Sequence, residues 1–147
     1  MSRNRKFTAL ALGGAAVLGS IVLTATPASA GPGTCKRGVD VCLYYNSDFK
    51  GAKYGLSETR SYNGLKFAGG NGAGQAVKNN AASVHNMNVR LTARITYNST
   101  GSQCRAACQD LPPVAKANLK PSMKNENAAQ YLYNKHGGPG GDPEARR

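Results

Sequence analysis

Four cysteines are the residues of this chain best placed to do chemistry: Cys35, Cys42, Cys104 and Cys108. They form two close pairs, spaced C-x6-C and C-x3-C. Thiols in such pairs can form disulfides, ligate a metal or act as nucleophiles. Neither spacing is the usual C-x2-C hook of a structural zinc site. All four follow an export-like N-terminal segment, so disulfides are the expectation, and oxidised sulfur is not a nucleophile. Three pairings are possible. Proximity favours Cys35–Cys42 and Cys104–Cys108, each closing a short loop that contributes about 2 kcal/mol through the unfolded chain.

The other reactive side chains do not assemble into a catalytic set. Asp40, Asp48, Glu58, Asp110, Glu126, Asp142 and Glu144 form no recognisable paired-carboxylate motif. His85 reads as a strand or edge residue, and His136 falls in the tail. There is no G-x-S-x-G, H-E-x-x-H or P-loop. The chain reads as a non-enzyme that needs no cofactor. Asn98-Ser99-Thr100 matches a glycosylation sequon, but three residues match easily by chance.

The ends explain where the cysteines must work. Arg3, Arg5 and Lys6 precede an uncharged apolar run, then Pro27 and Ala28-Ser29-Ala30. That order is a secretory signal, residues 1–30, with cleavage after Ala30. The run is rich in Gly and Ala and short for a span of about 20 strongly apolar residues. A secreted, extracellular protein with no membrane association is expected. Losing three basic residues takes the formal charge from +12 to +9. The remaining Lys and Arg are scattered, as on a solvated basic surface; a nucleic-acid binder clusters them. The 117 residues left of 147 suit one domain, residues 31–133, and a monomer. From Asn134 the tail, residues 134–147, is Gly, Pro and charge, and reads as disordered.

The elements that carry the cysteines are short strands. Cys42-Leu43-Tyr44-Tyr45-Asn46-Ser47 is echoed by Ile95-Thr96-Tyr97-Asn98-Ser99, and each copy lies beside a cysteine pair. Such a repeat predicts two related halves. Val41, Leu43 and Tyr45 alternate as in a half-buried strand, Asn46-Ser47-Asp48 reads as a turn, and Lys53–Leu56 as a second strand. Residues 64–74 hold five glycines and read as a loop. Val89, Leu91, Ala93, Ile95 and Tyr97 are apolar at every second position, which predicts one buried face and one wet face. Leu111-Pro112-Pro113 blocks interior pairing, and Tyr131-Leu132-Tyr133 reads as a closing strand. Ala117-Asn118-Leu119-Lys120 loosely echoes Asn63-Gly64-Leu65-Lys66, and Asn127-Ala128-Ala129 echoes Asn80-Ala81-Ala82. The class is all-β, a sandwich in which each half helps to bury the other.

This order resembles the βγ-crystallin Greek-key motif. Tyr44, Phe49 and Gly51 fit its aromatic, aromatic and glycine positions, and Ser83 its later serine; the second copy offers Tyr97 and Gly101. Tyr44, Phe49 and Tyr97 are expected to be packing residues. More specifically, from Cys35 to Tyr133 the chain resembles the bacterial secreted peptidase inhibitors typified by the Streptomyces metalloproteinase inhibitor. The carriers are Cys35-x6-Cys42-Leu43-Tyr44-Tyr45-Asn46-Ser47, Asn79-Asn80-Ala81-Ala82-Ser83-Val84, and the close pair Cys104–Cys108. The resemblance implies a βγ-crystallin-like Greek-key sandwich of two motifs and a secreted protease as partner. It places the inhibitory loop at Cys104, Arg105, Ala106, Ala107 and Cys108, with the reactive bond Cys104–Arg105.

Arg105 departs from the family pattern. Thermolysin-like proteases favour a bulky apolar side chain after the reactive bond, and an unpaired charge in an apolar pocket is costly. A trypsin-like pocket with Arg105–Ala106 as the bond is the alternative. The crystallin resemblance also raises a calcium site of the pattern Asn/Asp-Asn/Asp-x-x-Ser/Thr-Ser, with Asn79, Asn80 and Ser83 as candidates. Val84 stands where its last serine belongs, and the second copy, Asn125 to Gln130, lacks serine. A killer-toxin-like secreted protein is a further class that a crystallin-like fold and basic charge would fit.

Overall fold

A computed structural model describes residues 31–38, 40–97, 104 and 106–135. The expected signal at residues 1–30, the Asn98-Ser99-Thr100 sequon, Gly101 of the second crystallin motif, Arg105 and the tail from His136 onward lie outside the described residues. Eight strands are described: β1 Val41–Tyr44, β2 Lys53–Leu56, β3 Arg60–Ser61, β4 Ser83–Asn86, β5 Thr92–Thr96, β6 Cys108–Leu111, β7 Lys116–Asn118 and β8 Ala129–Tyr133. No helix occurs among the described residues.

The strands form two antiparallel sheets, ordered β2-β1-β4-β7 and β3-β8-β5-β6. Each half of the chain builds three strands of its own sheet and lends one to the other: β3 joins the second sheet and β7 the first. Neither half can complete its sheet alone, which is the physical content of the sequence repeat. The seam is symmetric. Tyr62 N–H donates to the Ala128 carbonyl and Leu119 N–H to the Ala82 carbonyl, both at 2.9 Å. Asn79 N–H donates to the Asn127 carbonyl and Asn125 N–H to the Ala81 carbonyl, at 2.8 and 3.0 Å. Asn79 and Asn125 both hold left-handed φ near 60° (61° and 60°), which asparagine tolerates better than most residues. Asn127, fully buried, adds a side-chain bond on each side, to Val77 O and Ala81 N–H.

Register aligns the repeated phrase as expected. Tyr44 lies opposite Lys53 and Ser83, and Thr96 opposite Cys108 and Ala129. Tyr45 therefore corresponds to Tyr97; Asn98 and Ser99 of the repeated phrase lie outside the described residues. Two looser echoes shift: by their matching seam bonds Leu119 is the counterpart of Tyr62, and Asn127 of Ala81. The first aromatic of the second crystallin motif is replaced by Thr96, not supplied by Tyr97. Tyr97 is 44% exposed and does not pack as expected.

β1 and β2 form the expected hairpin. Its turn needs Asp48 and Phe49 at φ 58° and 60° and Gly51 at φ 80°. A Cβ on Gly51 would come within 2.8 Å of Asn46 Nδ2 and 2.9 Å of the Asn71 carbonyl, so only glycine fits. Phe49 meets Tyr44 edge to face at 5.9 Å. The core between the sheets is filled by Leu43, Tyr62, Phe67, Ile95, Leu111 and Met123.

Within β5 the expected wet face of the alternating run is buried. β5 covers only Thr92–Thr96, and all five residues are buried. Arg94 is 4% exposed, held by Asp110 and lying under the Tyr133 ring, 5.1 Å from its centroid. Val89 precedes the strand in a turn where Asn88 Oδ1 accepts from Arg90 and Leu91 N–H, so it points outward.

Candidate functional site

The structure closes Cys35–Cys42 and Cys104–Cys108, with Cα–Cα distances of 5.7 and 5.4 Å. Cys42 is fully buried in β1. Asp40, also fully buried, accepts from Lys36 N–H inside that first disulfide loop; burial raises its carboxyl pKa, and the Lys36 bond and charge oppose the rise. The first bridge is a staple within the core.

The second bridge lies at the surface, in the β5–β6 connection. Cys104, Ala107 and Cys108 are half-buried and Ala106 is exposed. The connection occupies the place that the tight hairpin turn holds in the first half. Tyr97 N–H donates to the Ala107 carbonyl at 3.0 Å, and Cys108 pairs with Thr96. The loop therefore leaves β6 at a defined point, although β6 is an edge strand.

β6 is fastened on both faces immediately after Cys108. Gln109 points inward: its Oε1 accepts from Lys120 N–H at 2.8 Å and its Nε2 donates to the Asn118 carbonyl at 3.2 Å. Asp110 points outward: Arg94 Nε and Nη2 donate to its two oxygens at 2.8 and 3.0 Å, and the Tyr133 hydroxyl donates at 2.9 Å. Burial alone would raise the Asp110 pKa. The Arg94 and Tyr133 hydrogen bonds, with the Arg94 and Lys135 charges, outweigh it and hold the carboxyl below its usual value. A two-oxygen, two-nitrogen pair of this kind fixes orientation as well as charge. Sequence reasoning did not single out Gln109 or Arg94; polar residues at alternate positions of two neighbouring strands were the available signal.

The calcium candidates are distributed differently. The Ser83 hydroxyl donates to the Asn46 carbonyl at 2.7 Å and accepts from Phe49 N–H at 3.0 Å, locking the β1–β2 turn. Asn79 gives its N–H to the seam, and Asn80 Nδ2 donates to the Lys78 carbonyl at 3.1 Å. A cavity of about 330 Å³ between the halves is lined by Asn46, Ser47, Asn80, Asn125 and the ammonium-bearing Lys124, a poor setting for a dication.

A model of the family described as "Peptidase inhibitor family I36" matches residues 28–109, which include the whole Cys104–Cys108 loop. A solved structure described as "Evolution of the eye lens beta-gamma-crystallin domain fold" superposes with a TM-score of 0.54 at 10% identity. It covers 71% of this chain and 95% of its own, and at that identity shows the βγ-crystallin fold alone. A search of curated proteins finds no match. With more than half of its length matched, the chain belongs to peptidase inhibitor family I36, whose members inhibit proteases and are not enzymes.

Proposed function

We propose that the Cys104–Cys108 loop is the substrate-like segment of this peptidase inhibitor, offering Cys104–Arg105 to the catalytic centre of a secreted protease. The observation that carries the reading is the anchorage of β6, with Gln109 bonded on one face and Asp110 on the other directly behind Cys108. A loop whose root is already ordered loses little conformational entropy on docking, and a bond held rigidly is cut slowly. Cys104, Arg105, Ala106, Ala107 and Cys108 would contact the protease, and the inhibitor contributes no catalytic group.

By resemblance the target is a zinc metalloprotease that would place the Cys104 carbonyl near its own metal. Arg105 then enters the pocket beyond the bond, so the matching enzyme carries acidic or polar groups there, not a purely apolar wall. A trypsin-like target cutting Arg105–Ala106 is the second reading, favoured by the same charge. Export through the signal at residues 1–30 brings the protein, as a monomer, to the extracellular compartment where its disulfides persist. Inhibition constants against thermolysin-, subtilisin- and trypsin-like enzymes, with mass-spectrometric location of the cut, distinguish these targets.

A further inference from the structure

Three large apolar side chains stand exposed among the described residues: Val89 at 57%, Tyr97 at 44% and Val114 at 64%. Tyr97 adjoins the disulfide loop. The other two belong together, far from it. With Met87 they line a groove of about 310 Å³ whose remaining walls are Arg37, Gly38 and His85. The groove lies at the end of the sandwich opposite the loop. β6 starts at Cys108 beside Thr96 and ends at Leu111 beside Ala93. Asn86, the last residue of β4, donates to the Leu111 and Pro112 carbonyls, and Met87, Val89 and Val114 of the groove follow these two strand ends.

Val114 is not simply left outside. Its φ is 55°, a left-handed conformation that a β-branched side chain rarely adopts. Its N–H donates to the Asn88 carbonyl at 3.1 Å, and its neighbour Ala115 accepts from Asn86 N–H at 2.8 Å. The fold thus holds an apolar side chain in water in a disfavoured conformation, the kind of strain that gathers at functional sites.

The lining carries one cation, Arg37. Lys116 lies opposite His85 in the β4–β7 ladder, with Cys42, already in a disulfide, opposite on β1, but the Lys116 ammonium turns over the Phe49 ring, 5.3 Å from the centroid. Burial, then Lys116 and Arg37, lower the His85 pKa. Asp40, two residues beyond Gly38, is fully buried, accepts from the Lys36 N–H and feels the Lys36 charge, and Asp110 is paired with Arg94. A second copy would set one Arg37 against another, which electrostatics disfavours.

We propose that this groove is a second docking site, which takes an extended acidic segment of a partner protein. An apolar side chain of the segment enters between Val89 and Val114, and its flanking carboxylates meet Arg37 and His85. The site lies away from the disulfide loop, so both can be occupied at once, and it does not depend on the inhibitory reading.

The test is a titration of the purified protein with labelled acetyl-Glu-Glu-Leu-Glu-Glu-amide, followed by anisotropy and by the His85 ring signals in NMR. Expected are saturable binding, a rise in the His85 pKa on binding, and at least tenfold weaker binding of the Gln-Gln-Leu-Gln-Gln and Glu-Glu-Ser-Glu-Glu analogues. Val114→Gly is the discriminating variant. It removes the side chain and relaxes the backbone, so binding should fall at least tenfold while Tm stays equal or rises. No binding by the acidic peptide, or equal binding by Val114→Gly, would overturn the proposal. So would binding that appears only when residues 136–147 are deleted, because the tail would then be the occupant. Concentration-dependent dimerisation abolished by Val114→Gly would overturn it in favour of a second copy.

Discussion

Asn118 holds Asp48 across 70 residues: its Oδ1 accepts from Asp48 N–H at 2.8 Å and its Nδ2 donates to Asp48 Oδ1 at 2.9 Å. The carbonyl of the same Asn118 accepts from Gln109, the residue after Cys108. A line of bonds therefore runs from the root of the disulfide loop to the hairpin turn of the other half. Gln109→Leu leaves Lys120 N–H without its acceptor in a partly buried setting and removes the bond to the Asn118 carbonyl, at a cost of about 1 kcal/mol. The expected outcome is a lower denaturation midpoint together with faster proteolysis of Cys104–Arg105 by the target enzyme. Asn118→Ala, at a partly exposed bond, should cost about 1 kcal/mol and speed cleavage less.

Arg94 and Asp110 give the fold an acid limit. The folded Asp110 pKa lies below its unfolded value, so its contribution is complete at neutral pH, starts to fade as pH falls through the unfolded value of about 4, and is gone below the folded value. Arg94→Met should destabilise by about 2 kcal/mol at pH 7, less than a fully buried pair because the Asp110 side chain is 38% exposed. The difference from the parent should shrink in melts at pH 3. A constant difference from pH 7 to pH 3 would show that the ion pair is not what stabilises β6.

Ser83 should act as a turn lock. Ser83→Ala leaves Phe49 N–H without its acceptor and should cost about 1–3 kcal/mol. Millimolar calcium should leave the Tm of the parent unchanged, since the Ser83 hydroxyl is engaged and Lys124 lines the nearby cavity. A calcium-dependent rise in Tm would restore the metal reading.

Much of this architecture is legible in the chain because it depends on local pattern. The alternation at Val41–Tyr45, the Asn-Ser turn and the repeated phrase each concern adjacent residues, and β1, β2 and the aligned halves follow from them. The second sheet is harder to read. Arg94 sits at a polar position of an amphipathic strand and reads as solvated, yet Asp110 and Tyr133, 16 and 39 residues away, bury it. Asn127 and Gln109 likewise gain their roles only from distant partners, Asn127 from Val77 and Ala81 and Gln109 from Asn118 of the exchanged β7. The disulfide loop was legible as a cysteine spacing and a family likeness; the bonds that brace its root were not, because each joins residues distant in sequence.

The most direct test compares the parent with Cys104→Ser/Cys108→Ser across the thermolysin-, subtilisin- and trypsin-like panel. Opening so short a loop should cost about 2 kcal/mol of stability and leave the fold intact by circular dichroism. The account predicts that the parent inhibits at least one enzyme, with slow cleavage confined to the Cys104–Ala106 segment, and that the double variant loses at least tenfold in inhibition constant. Equal inhibition by the folded double variant would contradict it.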